Sequence, residues 1–403
     1  MRLSIFRYVD FKKIKSTLLM FWVILLSGIW SIRLTDLATF YAKMSTAIIF
    51  VFVMDKKVKC FQGKRTFFFL IFLLFFELFL HLDFEAWSTY FDLISCAIFG
   101  FFFVNVWGED KISFYYRRVM FFITFVSLIG YSIKDFLLSI SSAFPRIFAQ
   151  SATYINYYFY LYCIESPKRN PGVFWEPGAF AVFIGIALFF ELKDYKNVSL
   201  LKLLIYWIAL ITTGSTLGYT LLFITILIYI LNTKSMKSFG LKLLVTLLGG
   251  FASFSALMEL GIFSNLQQKL FSGLNSDPSS KVRNIGQLMD LNIFVSHPIF
   301  GVGYKGYREL SAKIGGFFGG DYILSANTFT YSLALFGIVF GLTIIFSIIN
   351  TAFVKGKVLL SIINCFFIIW LFVTQNFINK PIFYILIMMG ASEFRNIKEG
   401  SNS

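Results

Sequence analysis

Apolar residues fill the chain in runs of roughly twenty, and short polar stretches separate the runs. A helix needs about 20 residues to cross the hydrocarbon core of a bilayer. The pattern therefore predicts an all-α polytopic membrane protein with about twelve transmembrane helices in a single integral membrane domain over residues 1–403. The predicted spans are 16–33, 36–54, 66–82, 86–107, 119–141, 175–192, 200–213, 215–232, 240–258, 326–350, 357–375 and 381–394.

Basic residues are concentrated in the connections on one side of these spans. They cluster within 2–15, 56–65, 111–118, 193–202, 234–242, 355–357 and 395–398. The short connections on the other side contain only Arg33 and Lys380. Because short loops rich in Lys and Arg stay in the cytoplasm, this asymmetry predicts that both termini are cytoplasmic.

Composition excludes an ordinary soluble protein. Hydrophobic residues make up 58% of the chain and charged residues only 14%, whereas about a quarter of a soluble protein is charged. A net charge of +15 would suggest nucleic acid as the partner of a soluble protein. Here the membrane asymmetry accounts for the cations, so no nucleic-acid partner is expected.

Two predicted outer connections are long, 142–175 and 259–325. In the second, apolar residues recur at helical spacing from Val282 to Ile293, and 307–314 is also predicted to be a short helix. Each helix is expected to lay its apolar face on the membrane surface or over a cavity.

The segment 165–178 differs from the rest because it concentrates prolines, glycines and charges. At a membrane, irregular backbone of this kind persists only beside protein or water. The guanidinium of Arg169 suits phosphate or carboxylate oxygens, and Glu176 is placed to orient a hydroxyl or to act as a general base. A simple ion pair between the two is the alternative.

Ionisable residues also occur within or beside the predicted spans, mostly near their outer ends. Their common depth favours chemistry at the outer leaflet over proton-driven transport, and structural pairing is the alternative. These residues are Lys43, Glu77, His81, Asp92, Lys134 and Asp135.

Taken in order, the motifs resemble those of the O-antigen polymerase (Wzy) and O-antigen ligase superfamily of bacterial inner membranes. Arg169-x-x-Gly172-x-Phe174-x-Glu176-Pro177-Gly178 is similar to the first-loop signature. The stretch 213–216, Thr-Gly-Ser-Thr, resembles the hydroxyl-rich turn that follows. Arg283 and then the stretch 297–303, His-Pro-Ile-Phe-Gly-Val-Gly, are similar to the second-loop pattern, and Asn327 opens the next span.

This resemblance implies a GT-C-like fold and glycosyl transfer at the periplasmic face, within lipopolysaccharide biosynthesis. The growing glycan would move from undecaprenyl diphosphate onto a repeat unit carried by a second such lipid, with inversion at the sugar carbon. Family members are thought to need no metal or other cofactor. The outer segments accordingly contain no Asp-x-Asp pair and no His/Cys cluster.

The resemblance also assigns roles to residues. Arg169 and Arg283 would contact the diphosphate, and Glu176 would position or deprotonate the acceptor hydroxyl. Further substrate-binding candidates are Lys168, Gly172, Trp175, His297, Tyr304, Arg308 and Asn327. His297 is a candidate proton shuttle, with a capping or packing role as the alternative. The aromatic residues that could stack on sugars, or form an interfacial belt instead, are Tyr154, Tyr157, Tyr158, Trp175 and Tyr304.

One departure from the family pattern bears on the reaction. Many members, ligases especially, have a histidine immediately before the asparagine, and here that position is Ala326. The difference favours a polymerase over a ligase that transfers finished glycan to lipid A–core. A flippase without chemistry is the third reading, but the chain shows neither two similar halves nor charges along a midplane cavity. A polysaccharide chain-length regulator is a candidate partner of the polymerase.

Overall fold

A computed structural model of the chain describes residues 11–32, 36–54, 62–148, 152–193, 198–232, 278–317, 325–354 and 358–399. The predicted span 240–258 lies outside the described residues, as do 259–277 and 318–324 of the second long connection.

The described chain is mostly helical. Three segments are long and apolar enough to cross a membrane, namely Phe84–Trp107, Glu109–Ser132 and Thr328–Asn350, and several shorter helices are also apolar. These features are compatible with a membrane protein. In chain order the helices are α1 Phe11–Gly28, α2 Asp36–Met54, α3 Lys64–Leu80, α4 Trp87–Trp107, α5 Glu109–Ser132, α6 Lys134–Ser139, α7 Pro177–Lys193, α8 Leu200–Thr213, α9 Thr216–Asn232, α10 Pro278–Ser296, α11 Gly303–Phe317, α12 Thr328–Asn350, α13 Val358–Val373 and α14 Pro381–Glu399.

Helix α7 lies at the centre of the bundle. Every residue from Pro177 to Leu192 is buried, and α7 packs against α5, α8, α9 and α13. A helix that is apolar on all sides is stable only when other helices or lipid surround it. Because Glu176 immediately precedes this enclosed helix, its position is fixed by the core of the protein.

Helix α5 begins ten residues earlier than the predicted span 119–141, and it ends at Ser132. The charged residues of its first turns are paired with neighbouring helices: Arg117 Nη1 lies 3.1 Å from Glu191 Oε2, and Lys193 Nζ lies 2.6 Å from Glu109 Oε1. Paired charges are compatible with a helix that continues beyond the apolar run. The predicted start was therefore wrong.

Helix α1 ends at Gly28, earlier than the predicted boundary at 33. A Cβ on Gly28 would lie 2.3 Å from the indole of Trp175, so only glycine leaves room for that ring. After Gly28 the chain becomes extended, and Ile29 forms an isolated antiparallel bridge with Phe174. The first helix therefore stops where the chain meets the segment that precedes Glu176.

The first long connection contains a small antiparallel sheet that the sequence did not predict. Its strands are β1 Arg146–Phe148, β2 Thr153–Asn156 and β3 Leu161–Cys163, in the order β1-β2-β3. Ile147 pairs with Tyr154, and Ile155 pairs with Tyr162. Each strand has only three or four residues, which is too short for alternation to stand out in so apolar a chain.

The second long connection contains the two helices that the sequence predicted, α10 and α11. Helix α10 runs in the same direction as α12. Asp290 bonds Thr330, and later in both segments the carbonyl of Pro298 accepts the N–H of Ile338, so the two contacts advance together along the chain. The latter bond is possible because α12 is kinked at Gly337, whose φ is 69°.

A Gly301→Ala variant is expected to lose more than about 1 kcal/mol of stability. Gly301 has a φ of 63°, and a Cβ there would lie 2.4 Å from the Leu335 carbonyl oxygen on α12. The measurement is thermal unfolding of the purified protein in detergent. Gly306→Ala is the matched control, because a Cβ at that helical position meets only the Val302 side chain. Equal thermal unfolding midpoints for the two variants would contradict the close packing of Gly301 against the Leu335 carbonyl.

The ionisable residues near the outer ends of the predicted spans are engaged in structural contacts. Lys43 Nζ lies 2.7 Å from Asp92 Oδ1 and also donates to the Asn379 carbonyl. Glu77 and His81 are 3.1 Å apart, and His81 also bonds the Phe300 carbonyl. Lys134 donates to the Pro167 carbonyl, and Asp135 is exposed. These contacts favour the structural alternative for this group.

Candidate functional site

Three charged side chains predicted to act together meet where α7 begins. Arg283 Nη2 on α10 lies 3.2 Å from Glu176 Oε2, and their side chains are 42% and 29% exposed. Arg169 lies beside this pair: burial lowers the pKa of its guanidinium, the charge of Glu176 raises that pKa, and the charge of Arg283 lowers it. Because an arginine stays protonated in proteins, the cluster has two positive charges and one negative charge.

Asn170 holds Arg169 in place, a role that its position before Pro171 does not predict. Its side chain is fully buried. Its Oδ1 accepts hydrogen bonds from Gly172 N–H at 2.9 Å and from Ser127 Oγ at 3.0 Å, and its Nδ2 donates to Thr212 Oγ1 at 3.0 Å. The turn is thereby fixed to α5 and α8, so the adjacent guanidinium has a defined position.

The hydroxyl-rich turn at 213–216 supports the other side of Arg169. Arg169 Nε donates to the Thr213 carbonyl at 3.2 Å. Gly214 has a φ of 57°, and a Cβ there would approach the aliphatic part of Arg169 to 3.2 Å. Ser215 Oγ accepts the N–H of Gly218, which caps the start of α9. The turn therefore positions an arginine rather than forming a site of its own.

Trp175 and the connection between α13 and α14 enclose Glu176. The Trp175 ring packs against Phe377 with ring centroids 5.7 Å apart, and Lys380 Nζ lies 5.2 Å from the centre of the same ring. The backbone carbonyl of Glu176 accepts the N–H of Phe180, so the residue belongs to the first turn of α7. Its carboxylate is thus attached to the start of a helix that is buried from Pro177 to Leu192.

Asp290, one heptad after Arg283, fixes α10. Its buried carboxylate accepts hydrogen bonds from Tyr307 Oη at 2.8 Å, from Thr330 Oγ1 at 2.7 Å and from Ser325 Oγ. These donors come from α11, from α12 and from the residues before α12. Asp290 was not among the predicted residues, although it is the one acidic residue of α10.

The Asp290→Asn variant is expected to be less sensitive to pH than the wild type. Burial raises the pKa of Asp290 from 3.8 to about 6, although its three hydroxyl donors lower it. Because folding raises this pKa, the protonated carboxyl of Asp290 stabilises the folded state fully below pH 3.8. That contribution is lost as the pH rises through about 6. The midpoint of thermal unfolding of the wild type should therefore fall from pH 4 to pH 7, and that of the variant should not. Asp135→Asn, at an exposed carboxylate, is the control and should keep the decline.

The remaining predicted residues of the first loop lie around this cluster with different exposures. Lys168 is exposed, and its carbonyl accepts the hydroxyl of Tyr131. Gly172 has a φ of 61°, and its carbonyl accepts the N–H of Leu161, which joins the loop to β3. Gly172 and Trp175 therefore shape the segment that presents Arg169 and Glu176.

The predicted residues of the second loop do not join the cluster. His297 is exposed and follows α10, so it lies about 20 Å along the helix from Arg283. Tyr304 packs edge-on against Tyr90 and Phe336.

Two further predicted residues also have other surroundings. Asn327 is the N-cap of α12 and accepts the N–H groups of Phe329 and Thr330. Arg308 is exposed on α11. Thus, among the predicted second-loop residues, all of which lie in the described ranges, Arg283 is the one that bonds Glu176.

Asp83 anchors the start of α11, which the sequence analysis also missed. Its Oδ2 accepts the N–H of Tyr304 at 2.6 Å, and its Oδ1 accepts the N–H of Lys305 at 3.0 Å. A carboxylate at a helix N-terminus satisfies unpaired donors and interacts favourably with the helix dipole. The glycine-rich stretch 298–304 is therefore held by protein contacts on both sides.

Two of the five aromatic residues proposed to stack on sugars are inaccessible. Tyr154 and Tyr157 are 4% and 1% exposed, and the Tyr157 hydroxyl donates to the Leu137 carbonyl. Among the five candidates, Tyr158 has an exposed ring, at the tip between β2 and β3. The sugar-stacking interpretation is therefore wrong for Tyr154 and Tyr157.

Unused hydrogen-bond donors distinguish the arginines from an ordinary ion pair. Within the described chain, the Arg169 guanidinium makes one hydrogen bond, through Nε. The Arg283 guanidinium also makes one, through Nη2. Guanidinium groups with free donors are suited to oxyanions, since they bind two oxygens at once. The described residues contain no group of three His, Cys, Asp or Glu side chains that could hold a metal ion.

The comparison with known proteins adds no relative. The family resemblance stays a prediction from the order of the sequence motifs. No protein-family model matches the sequence, and no curated protein matches it.

Proposed function

We propose that the protein is a polymerase of a bacterial surface polysaccharide, O-antigen or a related glycan, with its site at the start of α7. The observation that supports this proposal best is that Arg283, from the second long connection, reaches Arg169 of the first and Glu176, which directly follows the first. Two guanidinium groups with unused donors beside one carboxylate provide an anion site next to a candidate base.

The proposed reaction is the one that the family resemblance implies, with its roles assigned to the residues of this cluster. The hydroxyl oxygen of the acceptor sugar attacks C1 of the donor sugar, and the bond from C1 to the diphosphate oxygen breaks. The electron pair leaves with undecaprenyl diphosphate, and the hydroxyl proton passes to Glu176. Arg169 and Arg283 stabilise the charge of the leaving diphosphate, so no general acid is needed.

The lipid-linked nature of both substrates agrees with the apolar surface beside the site. Helix α10, which includes Arg283, exposes Leu288, Leu291 and Val295 on one face. In the proposed topology of about twelve spanning helices with cytoplasmic termini, the cluster lies on the periplasmic side of the inner membrane. Polyprenyl tails would then contact the apolar helices while the diphosphates reach the arginines.

The test is a gel of surface polysaccharide from a strain that lacks this gene. A ladder reduced to core plus one repeat unit supports the polymerase. Loss of attached glycan while polymer still accumulates on the lipid carrier would make the protein a ligase instead. Repeat units trapped on the cytoplasmic side would make it a transporter and would contradict an enzymatic role for the cluster.

A further inference from the structure

Gln375, in the connection between α13 and α14, is buried, and its side-chain amide has no hydrogen-bond partner among the residues that the structure describes. The residue is 4% exposed. Its carbonyl accepts a hydrogen bond, but its side-chain amide makes none with the part of the chain that the structure describes. Neither polar atom of this amide is among the fully enclosed side-chain atoms of the described chain that lack a partner, so the amide keeps an accessible edge. An amide of this kind is suited to a ligand.

The amide lies at the cluster formed by Arg169, Glu176 and Arg283. A Cβ on Gly178 would come 2.6 Å from Gln375 Nε2 and 3.6 Å from Glu176 Oε1. The amide and the carboxylate therefore flank the same glycine on the first turn of α7. This contact also explains why the Glu-Pro-Gly motif ends in glycine, since any side chain would displace Gln375.

Backbone contacts fix Gln375 without using its side chain. Thr328 Oγ1 donates to the Gln375 carbonyl at 2.6 Å and accepts the N–H of Phe377 at 2.9 Å. The Phe377 ring packs against Trp175. The connection is thus held between the start of α12 and the residue before Glu176, and the amide remains available.

The chemistry of the amide differs from that of the arginines. An uncharged amide both donates and accepts, which matches a sugar hydroxyl, whereas the guanidinium groups match the diphosphate. We propose that Gln375 is a specificity-determining residue that binds a hydroxyl of the acceptor sugar next to the one that reacts. This inference rests on the polymerase proposed above.

The test uses purified full-length protein in nanodiscs. Lipid-linked single repeat units, extracted from the strain that lacks the gene, are the acceptor, and polymer-bearing lipid is the donor. Gln375→Met keeps the volume but removes the amide, and it is expected to raise the KM for the acceptor about tenfold while leaving the KM for the donor unchanged. Gly178→Ala should act in the same direction by displacing the amide. Thr374→Val is the matched control, because among the described residues its hydroxyl bonds the Leu371 carbonyl of the preceding helix, α13.

Each outcome has a separate meaning. An acceptor-specific rise in KM with an unchanged midpoint of thermal unfolding supports the inference. Wild-type kinetics in Gln375→Met, or equal rises for donor and acceptor, would overturn it while leaving the polymerase intact. Absence of transfer by the wild-type protein as well would remove the proposed function, and the inference with it.

Discussion

An Arg283→Ala variant is expected to lose glycan transfer by about 10²- to 10³-fold, which would leave surface glycan of one repeat unit. Arg283 approaches Glu176 through a single nitrogen at 3.2 Å, and its other donors bond no residue that the structure describes, so they are suited to a diphosphate. Removing them leaves the leaving-group charge uncompensated in the transition state. The measurements are the polysaccharide ladder in a complemented deletion strain and the rate of transfer by the purified protein.

A second substitution of Arg283 separates the role of the guanidinium geometry from that of its positive charge. Arg283→Lys keeps one positive charge but lacks the planar fork, so it should also be strongly impaired. The ion pair is partly exposed, and pairs of this kind contribute only about 0–1 kcal/mol to stability, so the fold should survive both changes. Arg146→Ala, at an exposed arginine of β1, is the matched control. A ladder of normal length in Arg283→Ala would show that this arginine does not bind the leaving group.

A Glu176→Gln variant is expected to lose transfer by about 10²- to 10⁴-fold. The amide has nearly the same shape and can still accept a hydrogen bond from Arg283, but it cannot take the proton of the acceptor hydroxyl. The loss should therefore appear in kcat, with little change in the thermal unfolding midpoint. The measurement is the rate of transfer at saturating concentrations of both lipid substrates.

A glutamate in the same loop provides the control for Glu176. Glu165 is exposed and accepts the backbone N–H of Thr153 at 2.8 Å. Glu165→Gln should retain near-normal transfer, because its carboxylate contacts the sheet rather than the arginines. Normal kcat in Glu176→Gln would contradict the role of Glu176 as base and leave it as a simple partner of Arg283.

The sequence was informative where apolar periodicity or motif order carried the signal. Helices α2 and α8 have the predicted bounds, and α10 and α11 were foreseen from helical spacing. The convergence of Arg169 and Glu176 was also predicted, since only seven residues separate them. Arg283 was placed with them on resemblance, and its contact with Glu176 agrees with that placement.

Other features depend on contacts between distant parts of the chain, which no local pattern reveals. Gln375 reaches the site because Thr328 fixes its backbone, and Asp83 reaches α11 from the connection before α4. His297 was assigned to the site because it belongs to a shared motif, but the length of α10 separates it from Arg283. Motif order therefore predicted which segments matter, while side-chain roles required the three-dimensional contacts.

The central claim is tested most directly by incubating the purified protein with lipid-linked repeat units in nanodiscs, without nucleotide sugar or added metal. The account predicts a ladder of longer lipid-linked glycans and release of undecaprenyl diphosphate, both abolished by Arg283→Ala and Glu176→Gln. Repeat units that stay single with the wild-type protein would contradict the claim that the cluster at the start of α7 joins glycans.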